Sequence, residues 1–132
     1  MDVFEAIKKR RSIRKYKTTP VEKEKLNKVL EAARLAPSAD NRQPWHFIVI
    51  TDPARKESLR ASYDNEWFVQ APAIVVVCAD PKEAWRRGRI GGEEYWKVDA
   101  AIAMQNLILA STELGTGTCW VADFDENTAK KA

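Results

Sequence analysis

The chain has 132 residues, 45% of them hydrophobic and 31% charged, with a formal net charge of +3; this is the profile of one globular domain with enough chain to bury a core, and it gives no reason to expect a long polyanion as partner. No apolar run approaches the roughly 20 residues that cross a bilayer and the N-terminus lacks the order of a signal peptide, so a cytoplasmic protein with no membrane partner is expected. The charge is uneven: Lys8, Lys9, Arg10, Arg11, Arg14, Lys15 and Lys17 face only Asp2 and Glu5 within the first seventeen residues, a local +5 that leaves −2 elsewhere and suits a small anion better than nucleic acid.

Asp2 followed by Glu5 forms a capping pair, and Val3, Phe4 and Ile7 mark one apolar face of a short first helix. The chain then reads R-R-S-I-R; if it extends there, Arg10, Ser12 and Arg14 project on one side and make a phosphate or carboxylate site. The competing reading is a solvated basic helix end, since cations are favoured at a helix C-terminus. Thr19-Pro20-Val21-Glu22 predicts an N-cap, a proline at the first helical position and a capping box; Leu26, Val29, Leu30 and Ala33 carry that helix to about Ala36, where Pro37 stops it.

The loop Ala36 to Phe47 holds Ser38, Asn41 and Gln43 between Pro37 and Pro44, a polar and stiffened segment suited to binding something flat. Phe47–Ile50, apolar on both faces, predicts an interior strand, and Asp52-Pro53 starts a helix through about Ser62. Tyr63–Phe68 reads as a loop whose rings cover the core edge, and Ala73–Ala79 as a second, central strand. Pro81–Gly92, with Arg86, Arg87 and Arg89, reads as a mobile surface loop. A long helix from about Glu94 to Leu114, apolar almost all round and closed by Gly115, is buried on more than one side, in the domain or against another subunit. Thr118–Val121 predicts a third short strand, and Asp125 caps a helix at which the chain stops; an end at Lys130–Ala132, inside a starting helix, reads as a truncation.

Self-sufficient catalytic machinery is thin. His46 is the single histidine, no G-x-S-x-G turn accompanies it, and it reads as a packing or hydrogen-bonding residue. Cys78 and Cys119 lack ligand spacing and read as buried structural thiols, and no metal site is expected. The phosphate loop G-x-x-x-x-G-K-[ST] is missing, and Gly115-Thr116-Gly117 follows a helix where a dinucleotide fingerprint would open one. An enzyme of this composition would rely on an organic cofactor.

R-R-S-I-R, A-P-S-A-D-N-R-Q-P-W-H-F, A-P-A-I-V-V-V-C, D-A-A-I-A-M-Q-N-L-I-L-A-S and L-G-T-G-T-C-W-V-A-D-F stand in an order and rough spacing that resemble the nitroreductase-type FMN flavoproteins along the whole chain. The resemblance implies an α+β fold with a central mixed or antiparallel sheet flanked by helices, a single domain over residues 1–132, and an intertwined homodimer with FMN at the interface. It implies that the segment with Arg10, Arg11, Ser12 and Arg14 binds the cofactor: Arg10 and Ser12 on the phosphate, Arg14 at the pyrimidine end, where a cation offsets the negative charge left by hydride arrival. Pro37, Ser38, Ala39 and Asn41 would touch the flavin from the partner subunit, with Gln43 a neighbour; Asn65 would lie near the ring, and Val121 and Ala122 would offer backbone to N5. The implied reaction is ping-pong transfer from NAD(P)H through FMN to a nitroaromatic, quinone or similar small-molecule acceptor. The family's further strand and tail, with a basic phosphate-binding residue, are expected beyond Ala132. A flavin-binding module without turnover and a reductive dehalogenase or flavin-cleaving relative are the alternatives, with a basic-arm nucleic-acid binder behind them.

Overall fold

Two strands and two long helices set the frame. In the computed structural model, which describes residues 1–88 and 92–132, β1 (Trp45–Ile50) and β2 (Ile74–Ala79) pair antiparallel, from Trp45 opposite Ala79 to Ile50 opposite Ile74. The side chains alternate across this ribbon. Phe47 and Val75 meet Val29 and Ala33 of α2 (Lys23–Arg34) and Leu107 of α5 (Trp96–Glu113). Ala33 and Ala103 are completely buried, small residues that let α2, α5 and the ribbon approach closely.

The other face of the ribbon is covered at one end. Leu59, Ala71, Phe68 and Tyr16 pack on Ile50, Ile74 and Val76, whereas Ile48 is 52% exposed. Each strand has one partner among the described residues, so neither is the interior or central strand that its apolar run suggests. Apolar runs report burial, and here the burial comes from helices above and aromatic side chains below.

Local signals place most helix ends. α1 (Val3–Lys9) has the Asp2–Glu5 capping box, and α3 (Pro53–Ser58) has Asp52 as N-cap and Pro53 at its start, followed by a 3-10 turn over Leu59–Ala61. α5 closes as a Schellman turn: Gly115, at φ +73°, donates its amide to Thr112, and Thr116 donates to Ser111. Asp125 caps α6 (Glu126–Lys131) by accepting from the Thr128 amide at 2.8 Å.

Other expectations fail. α2 starts at Lys23, with Glu22 extended and no side-chain cap, because Thr19 and Pro20 put nothing into the core to offset the cost of ordering another turn. On α1 it is Ala6 that is buried, and Val3, Phe4 and Ile7 are 68%, 73% and 51% exposed. Glu66–Val69 forms a short helix, α4, in the stretch read as a loop, anchored by buried Val69. Its rings do cover the core edge: Trp67 lies edge-on to Tyr63, and Phe68 packs into the lower cluster.

Thr118–Val121 forms no strand; Thr118 makes one parallel bridge, to Ser12, because its neighbour is the segment after α1 and not the ribbon. Residues 81–88 are tied down by an Arg86–Glu94 ion pair and by Trp85 edge-on to Tyr95 at 5.0 Å, so this part is not the free loop expected; Arg89 lies outside the described residues. Cys78 and Cys119 are half-buried free thiols, less enclosed than structural cysteines. No helix among the described residues is long and apolar enough to cross a membrane.

Candidate functional site

The basic segment is an extended arm. The chain leaves α1 at Arg10 (φ −52°, ψ 130°), and the Ile13 amide then donates to the Thr118 carbonyl at 2.9 Å. Alternation therefore sets Arg10, Ser12 and Arg14 to one side and Ile13 to the other. Ile13 lies against Gly117, where a Cβ would come within 2.9 Å of its Cγ1; the missing side chain is what lets the arm and residues 117–118 touch.

The side chains of Arg10, Ser12 and Arg14 form no hydrogen bond or ion pair among the described residues. Arg11 does: its guanidinium donates to the carbonyls of Lys8 (2.6 Å) and Arg10 (2.7 Å) and so closes the end of α1. Both bonds are made by Nη1, so Nε and Nη2 of Arg11 keep their protons for an anion.

Tyr16 ties the arm to the rest of this end. Its hydroxyl donates to the Ile13 carbonyl at 2.5 Å. Burial pushes its pKa up to about 12, nearby Cys119 adds to the rise, and Arg14 opposes it. Trp67 lies 6.4 Å from Tyr16 between ring centroids, which brings the segment that starts α4 to the arm; Asn65, two residues before Trp67, is half-buried and its side chain does not cap α4. Val121 is half-buried and Ala122 exposed, three and four residues beyond Thr118, and the Asp125 amide donates to the Ser62 carbonyl at 3.0 Å. Arg10, Ser12, Arg14, Asn65, Val121 and Ala122 thus come from segments that meet at the C-terminal end of α5.

Pro37 to Gln43 lie at its other end. The Ala39 amide donates to Asp99, in the first turn of α5, at 3.0 Å. The Gln43 amide donates to the Ser38 hydroxyl oxygen at 2.9 Å, and Gln43 Nε2 donates to Asn41 Oδ1 at 2.8 Å. Asp40, Asn41 and Gln43 have φ of 56°, 51° and 51°, a left-handed backbone that costs about 1–3 kcal/mol per residue and persists only where the surroundings enforce it. Ser38 keeps its hydroxyl proton and Asn41 its amide protons free to donate, while buried Pro44 and Trp45 fix the loop to the core.

At 1.5 Å per residue, about 18 Å of helix separates Asp99 from Ser111. The expected site residues therefore fall into two groups within one chain, an arm group and a loop group, at opposite ends of α5. Of two hollows, one of about 250 Å³ adjoins the arm and includes Arg11, Ile13 and Thr118. The other, of about 650 Å³, is lined by Arg42, Lys82, Trp85, Arg86 and Glu94 and holds none of the expected flavin residues. His46 is exposed, its Nε2 3.2 Å from Glu83.

The donor set fits a flavin mononucleotide. Two uncommitted guanidiniums and a hydroxyl suit a phosphate and an electron-rich ring edge, and the loop's hydroxyl and amide suit a ring bearing carbonyl and imide groups. Asp99 was not singled out in the sequence, although a carboxylate between Val98 and Ala100, inside an apolar helical run, was the available signal.

The model of the nitroreductase family matches residues 7–64 and 55–132. A Methanothermobacter thermautotrophicus protein, provisionally named as an NADH dehydrogenase/NAD(P)H nitroreductase, is 41% identical over 125 residues; the alignment covers 94% of this chain and 62% of that protein, so the chain spans less than two thirds of this relative. The crystal structure of a nitroreductase family protein from Clostridium difficile superposes with a TM-score of 0.92 at 36% identity, covering 99% of this chain and 74% of that one. A Bacteroides fragilis nitroreductase with bound FMN gives a TM-score of 0.74 at 27% identity, covering 99% and 77%.

Proposed function

This chain belongs to the nitroreductase family and has its α+β fold, and from that premise we propose that it is an FMN-dependent oxidoreductase, a cytoplasmic enzyme of one domain over residues 1–132 that works as a homodimer. The observation that carries the reading is the arm: two guanidiniums and a hydroxyl on one side of an extended segment, without partners of their own among the described residues and beside Thr118. The FMN-bound relative and the NAD(P)H named for another relative support the choice of cofactor and donor.

FMN, when bound, supplies two-electron chemistry, taking electrons from NAD(P)H and giving them in a ping-pong sequence to a nitroaromatic, quinone or similar acceptor. The chain's own residues bind and orient. Arg10 and Ser12 hold the phosphate, with Arg11 keeping the end of α1 in place behind them. Arg14 sets a fixed cation at the pyrimidine end, where reduction leaves negative charge. Asn65 lies at the ring, and the backbone of Val121 and Ala122 passes it. Pro37, Ser38, Ala39, Asn41 and Gln43 complete the pocket from the partner subunit.

A second copy is required because one chain holds the two groups at opposite ends of α5. A two-fold axis across α5 sets the N-terminal end of one helix beside the C-terminal end of the other, which joins one chain's arm to the other's loop. The surface for such a pairing is present: Val3, Phe4 and Ile7 on α1 and Val98 on α5 are 68%, 73%, 51% and 45% exposed.

The visible spectrum of the purified protein, before and after anaerobic NADH or NADPH, tests this. A flavin spectrum bleached by the reductant is expected. A preparation that cannot take up FMN overturns the reading, and bound flavin that no nicotinamide reduces selects the binding module without turnover.

A further inference from the structure

Asp99 is 1% exposed, accepts a hydrogen bond from the Ala39 amide, and has a second oxygen, Oδ2, with no donor among the described residues. A buried carboxylate with one hydrogen bond is a poor way to build a fold, because its lost hydration is not made good by one amide. Its place in the first turn of α5 offsets part of this, because the helix macrodipole favours negative charge near the N-terminus. A neutral asparagine could accept the same amide without burying charge. What the carboxylate adds is a charged, and so stronger, acceptor at the start of a loop in which three of the four residues Asp40–Gln43 are left-handed.

We propose that Asp99 is a positioning residue for the cofactor: acting through the Ala39 amide, it holds residues 39–43 in the strained shape that presents Ser38 and Asn41 to the flavin. This rests on the FMN reading above. Asp99 touches neither cofactor nor substrate; it acts from behind the loop, and the stability lost in burying it is exchanged for loop precision.

Asp99→Asn separates this role from a packing role. It should leave the thermal midpoint unchanged or raised, since a buried charge is removed. FMN binding, measured by quenching of free-flavin fluorescence well below that midpoint, should weaken about tenfold, the difference between a charged and a neutral acceptor. In FMN-free protein, hydrogen exchange at residues 38–43 should quicken.

Ala39→Pro gives the second arm. It removes the donor at the first position of the 3-10 turn, after an extended Ser38, where proline is tolerated. It should reproduce the loss of affinity, and the double variant should lose little more than either single one. Wild-type affinity and exchange in Asp99→Asn would overturn the inference, as would a lowered midpoint with unchanged affinity. If Asp99→Asn does not fold, Ala39→Pro decides, with wild-type affinity refuting. Failure of the wild-type protein to bind FMN is a different result and refutes the cofactor reading, while exchange in FMN-free protein still reports on the Asp99 tie.

Discussion

Gly117→Ala would test whether the arm is held where the structure sets it. An added Cβ would meet Ile13 at Cγ1 (2.9 Å), Cβ (3.2 Å) and Cγ2 (3.3 Å). Rotating Ile13 about χ1 still leaves a γ-carbon towards the added Cβ, and the Ile13 Cβ at 3.2 Å cannot rotate away, so the arm's backbone has to move. Overpacking of this kind costs about 1–3 kcal/mol. Against it, glycine to alanine stabilises by about 0.4–1 kcal/mol through the unfolded chain, because Gly117 has no left-handed φ that alanine would resist. The net loss is about 1–2 kcal/mol, or roughly 5 °C in Tm for a domain of this size. Displacing the arm moves Ser12 and Arg14 together, so FMN affinity should fall several-fold as well. Urea denaturation and flavin titration read the two effects, and Ile13→Ala in the same chain should recover part of the affinity. A Gly117→Ala protein as stable as wild type, with unchanged affinity, would refute the tight contact between arm and residue 117.

Gly115→Ala should lose about 1 kcal/mol with no effect on affinity: nothing lies within 4 Å of an added Cβ, so the cost is that of forcing φ +73° on alanine. Tyr16 should ionise near pH 12 in an ultraviolet titration of the folded protein, shifting further up in Arg14→Ala and down in Cys119→Ala. Because its folded pKa is raised, its contribution to stability is complete below about pH 10 and lost as the pH climbs towards 12; a Tyr16→Phe protein with the same alkaline stability profile would contradict the assignment. Phe4→Glu changes a side chain that is 73% exposed; it should leave monomer stability within about 0.5 kcal/mol and shift light scattering from dimer to monomer, whereas an undisturbed dimer would exclude this face from the interface.

What was legible in the sequence was local. The Asp2–Glu5 box, Asp52-Pro53 and Gly115 each act within four residues, and each marks its helix end in the structure. The features that were not legible depend on distant partners. α2 begins late because the core reaches only from Leu26 onward, and Thr118 makes a single bridge because its neighbour is Ser12. The apolar face of α1 was visible, but not that it stays exposed while Ala6 takes the core contact. Within the site, the alternation of Arg10, Ser12 and Arg14 could be read directly, since extended chain fixes it. The capping role of Arg11 could not be read, because it depends on the angle at which the chain leaves α1. Asp99 needed a partner sixty residues away.

If the site is divided between the ends of α5 as proposed, mixing two variants tests it in a way that neither variant alone does. In the proposed dimer, an arm-defective chain (Arg14→Ala) paired with itself has two damaged sites, and so has a loop-defective chain (Asn41→Ala). A mixed dimer is different: one of its sites takes both damaged halves and the other takes both intact ones. Random pairing of equal amounts makes half the dimers mixed, so roughly a quarter of all sites should regain wild-type FMN affinity after the two variants are unfolded and refolded together. A site complete within one chain would regain none, since every copy would keep its own lesion. The tight-binding fraction in a flavin titration of the refolded mixture therefore reads directly whether arm and loop serve the same cofactor across the two-fold axis.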